Sequence, residues 1–125
     1  MELVLGTAQF GSNYGISNKN GKLSSVETIK LLRRCEQNKI RLIDTAPVYG
    51  ESEVILGKYK RKYFKFITKI PKIENKKLAI SELIFSSINE SLKKLRIAKL
   101  YAVLIHRPED LINEQSEEVY KTLNQ

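Results

Sequence analysis

The stretch Leu42-Ile43-Asp44-Thr45-Ala46-Pro47-Val48-Tyr49-Gly50-Glu51-Ser52-Glu53-Val54-Ile55-Leu56-Gly57 decides the fold. It opens as a short apolar strand, Leu42-Ile43, and places a carboxylate, Asp44, where the apolar run stops. A turn follows with Pro47, the phenol of Tyr49 and Gly50, and Ser52-Glu53-Val54-Ile55-Leu56 starts a helix. Strand, polar terminus, loop with a second polar group, helix: this is how a parallel α/β protein presents chemistry.

The same alternation extends in both directions. Upstream, Leu3 to Gly11 reads as a short buried strand running into a glycine-bearing loop, and Asn13 to Lys22 has loop chemistry. Ser24-Ser25-Val26-Glu27 is a capping box. The helix after it repeats apolar residues at Val26, Ile29, Leu32 and Cys35, which places Cys35 on the buried face. Ile40 to Asp44 is the second strand. Downstream, a helix from Ser52 to about Tyr59 leads to a third strand, Tyr63 to Lys69, stopped by Ile70-Pro71. Glu74 to Lys77 is a polar linker. Ile80, Leu83, Ile84, Ile88, Leu92 and Leu95 mark a long amphipathic helix. Leu100 to Ile105 is the fourth strand, and Glu114 to Leu123 a last helix.

The order β-α-β-α-β-α-β-α implies a parallel sheet with right-handed crossovers, and continuous apolar strands imply burial on both faces. Four βα units make either a small doubly wound sheet or half of an eight-stranded barrel, and spacing alone leaves both open. Residues 1–125 read as one unit with no repeat and no internal boundary.

Composition narrows the function classes. With 42% hydrophobic and 29% charged residues the chain is of ordinary globular type rather than disordered. No apolar run approaches the ~20 residues that span a bilayer, so no membrane partner is expected. The N-terminus lacks the features of a signal peptide, and the single cysteine, Cys35, cannot form an internal disulfide. Both point to a cytoplasmic location. No metal is called for. The net charge of +8 raises a nucleic-acid reading. Acids are interleaved with the bases almost throughout, however. The dense run Lys58 to Lys65, which interleaves aromatics, reads first as a solvated helix end and loop.

The informative polar residues stand at strand ends. Asp44 ends strand two, Lys69 strand three and His106 strand four, with Tyr49 in the loop after strand two. In a parallel sheet all four project at the carboxyl edge. Each alone has an ordinary structural role to play; three successive strand ends make coincidence less attractive. A phenol titrates near ~10, too high for efficient proton donation at neutral pH. A neighbouring ammonium stabilises the phenolate, a carboxylate holds the ammonium in place, and a neutral imidazole orients a substrate oxygen. This is equipment for protonating the alkoxide that develops in carbonyl reduction, with the hydride coming from a cofactor.

These residues meet a family here. Leu5-Gly6-Thr7-Ala8-Gln9-Phe10-Gly11, then Ile43-Asp44-Thr45-Ala46 with Tyr49-Gly50 and Ser52-Glu53, resembles the aldo-keto reductases. So do Leu56-Gly57, Thr68-Lys69, Ser91 to Leu95 and Leu104-Ile105-His106-Arg107-Pro108. The resemblance implies a TIM barrel using NADPH on a small-molecule carbonyl substrate. Asp44, Tyr49, Lys69 and His106 match the family's catalytic tetrad: Tyr49 as general acid, Lys69 tuning it with Asp44, and His106 positioning the carbonyl. Gly6, Thr7 and Asp44 match positions near the nicotinamide. The opening looks most like bacterial members.

The family's barrel needs eight βα units, and this sequence stops in the fourth helix. Phosphate binding in such barrels commonly lies after strands seven and eight, so most of the cofactor site is expected to be missing, and no glycine-rich phosphate loop replaces it. The first expectation is therefore the N-terminal half of such a reductase, a truncated or partial gene product that is inactive alone. The second is a non-enzymatic half-barrel that persists by self-association through its open edge. A basic nucleic-acid module centred on Lys58 to Lys65 is third.

Overall fold

Four strands, β1 (Val4–Gly6), β2 (Leu42–Asp44), β3 (Lys65–Ile70) and β4 (Ala102–Ile105), form one sheet in sequential order, with every neighbouring pair parallel. The computed structural model describes residues 2–16, 18–59, 62–74 and 79–125. Ser17 of the first loop, Lys60 and Arg61 of the basic run, and residues 75–77 of the polar linker lie outside the described residues.

The connections are helical: α1 (Ala8–Gly11) and α2 (Ser25–Gln37) between β1 and β2, α3 (Ser52–Lys58) between β2 and β3, and α4 (Ile80–Leu95) between β3 and β4. A 3-10 turn (Pro108–Leu111) and α5 (Ser116–Leu123) follow β4. The capping box at the start of α2 is formed in both directions, since the Glu27 N–H donates to Ser24 Oγ and the Ser24 N–H donates to Glu27 Oε2. Helix α4 ends on Arg96, in the left-handed region at φ 57°.

Parallel register and strand alternation sort the side chains into two faces. Leu5, Ile43 and Phe66 share one face, with Thr68, Ile70, Val103 and Ile105 further along it. That face carries the helices: Ile43, Phe66 and Ile70 are buried in two clusters, one with Leu32, Leu56 and Leu95, the other with Ile80, Ile84 and Val119. Each fully buried aliphatic side chain contributes about 2 kcal/mol. The opposite face holds Val4, Gly6, Asp44, Ile67, Lys69, Ala102 and Leu104. No described helix covers it, and Val4 and Leu104 are 47% and 46% exposed, although Leu42 on the same face is buried.

Several expectations change. Burial on both faces does not hold, because all the described helices pack on one side. The strand limits move: β2 and β4 start two residues later than Ile40 and Leu100, and β3 runs through Ile70, whose register partner is Ile105. Lys69 is thus penultimate, not last. The Gln9-Phe10 region is a short helix, seating Phe10 in the core at 1% exposure. On α2, Leu32 and Cys35 face inward as the repeat requires and Thr28 joins them, but Val26 and Ile29 stay 62% and 39% exposed. The apolar row was wider than the one neighbouring surface it packs on.

Candidate active site

Asp44 closes β2 and, level with Gly6 and Ile67, points away from the helices. Lys69 lies on the same face two residues beyond Ile67. Its Nζ donates to both Asp44 carboxylate oxygens, at 2.6 and 2.7 Å, and to the Thr45 carbonyl at 3.1 Å. Three acceptors take the three ammonium protons. Both side chains are largely shielded, at 15% and 28% exposure.

Tyr49 lies across this pair. The Lys69 Nζ is 5.0 Å from the centroid of its ring, in cation–π range. The His106 ring meets the Tyr49 ring edge-on, with centroids 6.1 Å apart and planes at 70°. The residue after β4, His106, is anchored through its N–H to the Ile70 carbonyl at 3.0 Å, and its buried Nδ1 has no hydrogen-bond partner among the described residues. The four candidates form a chain of contacts, Asp44 to Lys69, Lys69 to Tyr49 and Tyr49 to His106.

The Tyr49 loop is pinned by close backbone approach. A Cβ on Gly11 would lie 1.7 Å from the Tyr49 carbonyl oxygen, and Gly50, at φ 58°, would place one 2.5 Å from the Gly11 carbonyl oxygen. Only glycine fits this crossing. Its role was not legible in a sequence motif that also reads as an ordinary loop.

Gly6 opens onto free space, with nothing within 4 Å of an added Cβ. Thr7 is fully buried, and its hydroxyl donates to the Asp44 carbonyl at 2.9 Å. Gly6, Thr7, Asp44 and Tyr49 line one cleft of about 450 Å³, and no cation lines it.

Behind the four candidates lies a polar layer that sequence reasoning missed. The Ser52 hydroxyl sits 2.9 Å from Thr7 Oγ1 and 3.2 Å from Thr45 Oγ1. The next residue, Glu53, is 1% exposed and accepts from Thr68 Oγ1 at 2.7 Å. Thr7, Thr45 and Thr68 are sequence neighbours of Gly6, Asp44 and Lys69, so alternation turns them toward the first turn of α3. A threonine beside Gly6, Asp44 and Lys69 was the available signal.

The aldo/keto reductase family profile matches residues 2–125. The chain belongs to the aldo/keto reductase family. Two solved structures from Pseudomona aeruginosa, described as aldo-keto reductases, are 31% and 30% identical to it, with TM-scores of 0.77 and 0.74. Each match covers 97% of this chain but only 49% and 47% of theirs. A structure described as a 2,5-diketo-D-gluconic acid reductase B, at 23% identity and a TM-score of 0.57, covers 84% of this chain and 33% of its own, and shows the fold alone. No curated protein matches the chain significantly.

The chain spans about half the length of the solved structures it resembles. Its four parallel βα units are accordingly half of a TIM barrel. In an aldo/keto reductase half-barrel the uncovered sheet face is the barrel interior, which explains why Val4 and Leu104 are bare. Among the described residues no helix is long and apolar enough to cross a membrane.

Proposed function

We propose that residues 1–125 supply the proton-transfer half of an NADPH-dependent carbonyl reductase and are inactive without a second half-barrel. The observation that carries this reading is the Lys69 ammonium, held by both oxygens of Asp44 and facing the Tyr49 ring, with His106 at the ring edge. Tyr49 donates the proton to the carbonyl oxygen, Lys69 fixed by Asp44 places a positive charge beside the phenol, and His106 orients the substrate.

The fit to the cofactor is partial. The cleft beside Gly6, Asp44 and Tyr49 has room for a nicotinamide ring, the group that supplies the hydride when bound. The absence of any cation in its lining leaves the phosphates without a described partner. Their binding belongs to the second half.

A fusion of this chain to the C-terminal half of one of the Pseudomona aeruginosa relatives tests the reading. It is expected to oxidise NADPH in the presence of aldehydes and to lose turnover with Tyr49→Phe. The isolated chain is expected to show neither tight NADPH binding by fluorescence titration nor turnover. A folded, NADPH-binding fusion that turns over equally well with phenylalanine at 49 would remove Tyr49 from its role.

A second reading is favoured by the sheet itself. All four strands are parallel and in sequential order, so β1 and β4 are both free edges. A twofold rotation about the barrel axis brings β4 of one copy beside β1 of another with strand direction preserved. Self-association by this route predicts a dimer by light scattering; a stable monomer across the micromolar range excludes it.

A further inference from the structure

A second cleft lies away from the tetrad. It opens at the other end of the sheet, about 13 Å along β3 from Lys69, and measures about 890 Å³. That is within the range of small-molecule sites. Its floor is apolar, from Leu56, Phe66 and Leu95, while Lys62, Lys65, Arg96 and Lys99 stand around it and no carboxylate lines it. None of these four cations forms an ion pair with a described residue. Lys65 Nζ instead lies 4.9 Å from the centroid of the Tyr101 ring, and Tyr101 is 55% exposed.

Helix termini do not account for this clustering. Cations complement the negative end of a helix dipole, and Lys58, Lys93 and Lys94 occupy such last turns. Lys62, Lys65 and Lys99 lie outside any helix. Arg96 does close α4, but at φ 57°, a conformation that glycine adopts at least cost. An arginine there keeps a strained backbone in the lining of the cleft.

We propose that this cleft is a base-and-phosphate site, in which Lys62, Lys65, Arg96 and Lys99 meet the phosphates of a nucleotide-type ligand and Tyr101 stacks on its base. Single-stranded nucleic acid and a free nucleotide are the two sources of that chemistry. Cations around an exposed aromatic ring over an apolar floor match both parts of the ligand. The site is independent of the carbonyl-reductase reading and needs no second half-barrel.

Fluorescence anisotropy of a short labelled oligothymidylate, titrated with the intact chain over a range of salt, tests it. Binding is expected to weaken steadily as salt rises. Arg96→Gly relieves the left-handed backbone, so thermal stability is expected to hold or rise. The same variant is expected to lose about tenfold in affinity at low salt and to reduce the salt slope by about 1. Tyr101→Ala is expected to cost about tenfold. Displacement of the strand by ADP assigns the site to free nucleotides, and failure of ADP to displace a bound strand assigns it to single-stranded nucleic acid. The proposal is overturned if neither probe binds at low salt. It is equally overturned if binding is untouched by Arg96→Gly in a chain that remains folded, or if Tyr101→Ala leaves the affinity unchanged.

Discussion

Lys69 and Asp44 are joined through both carboxylate oxygens, at 2.6 and 2.7 Å, and the third ammonium proton goes to the Thr45 carbonyl rather than toward the Tyr49 hydroxyl. The lysine therefore meets Tyr49 at the ring face, its Nζ 5.0 Å from the ring centroid, rather than through a hydrogen bond to the hydroxyl. In a partly shielded site this pair also ties β2 to β3.

Removing one partner should show that tie. Asp44→Asn leaves a shielded ammonium facing a neutral amide and is expected to destabilise the chain by about 1–3 kcal/mol. Urea unfolding at neutral pH reads this directly. Asp44→Asn combined with Lys69→Met should recover part of the loss, because the stranded charge is gone. A double variant as unstable as the sum of the singles would contradict coupling.

The Thr68–Glu53 hydrogen bond joins the first turn of α3 to the residue before Lys69. Thr68→Val keeps the shape and removes the donor, and Glu53 Oε2 already has no partner among the described residues. The expected cost is about 1–3 kcal/mol. Glu53→Gln, which retains an acceptor, should cost less. Equal stability of Thr68→Val and the parent would mean the bond contributes nothing.

The capping box gives a pH dependence with a defined sign. Hydrogen bonds from the Ser24 side chain and backbone hold the Glu27 carboxyl below its ordinary value of 4.5. A depressed folded value stabilises the fold above 4.5, and the contribution disappears as pH falls through the folded value. The gap in urea midpoint between the parent and Glu27→Gln should be full at neutral pH and close on acidification. A gap that persists down to about pH 2 would rule out this linkage.

Cys35 is 3% exposed, and burial pushes its thiol above the usual range. Its reaction with a disulfide reagent is therefore expected to be slow in the native chain and to accelerate with unfolding. Native labelling as fast as labelling in urea would show that α2 does not seal the core.

Much of the fold was legible because its signals are local. The apolar runs at Leu42-Ile43 and Val103 to Ile105, the Ser24 capping box and the period of Ile80 to Leu95 each depend on residues within a few positions. Strand ends were less legible. Pairing of Ile70 with Ile105 extends β3 past Lys69, and that depends on a strand about 35 residues away. The exposure of Val26 and Ile29 was likewise hidden, since periodicity shows an apolar face but not whether a neighbour exists to cover it.

By itself the sequence determined the alternation of the four strands with the longer helices and the placement of Asp44, Tyr49, Lys69 and His106 at the carboxyl edge, because strand alternation and chain direction leave those residues nowhere else to go. Only the tertiary structure decided how they meet. The Thr68–Glu53, Lys69–Asp44 and Ser52–Thr7 contacts join residues 15, 25 and 45 positions apart. The same is true of Lys62 and Lys65 gathering with Arg96, Lys99 and Tyr101 in one cleft. Hydrogen bonds and charges act through space over a few ångströms, and which groups come that close is set by how helices pack on the sheet.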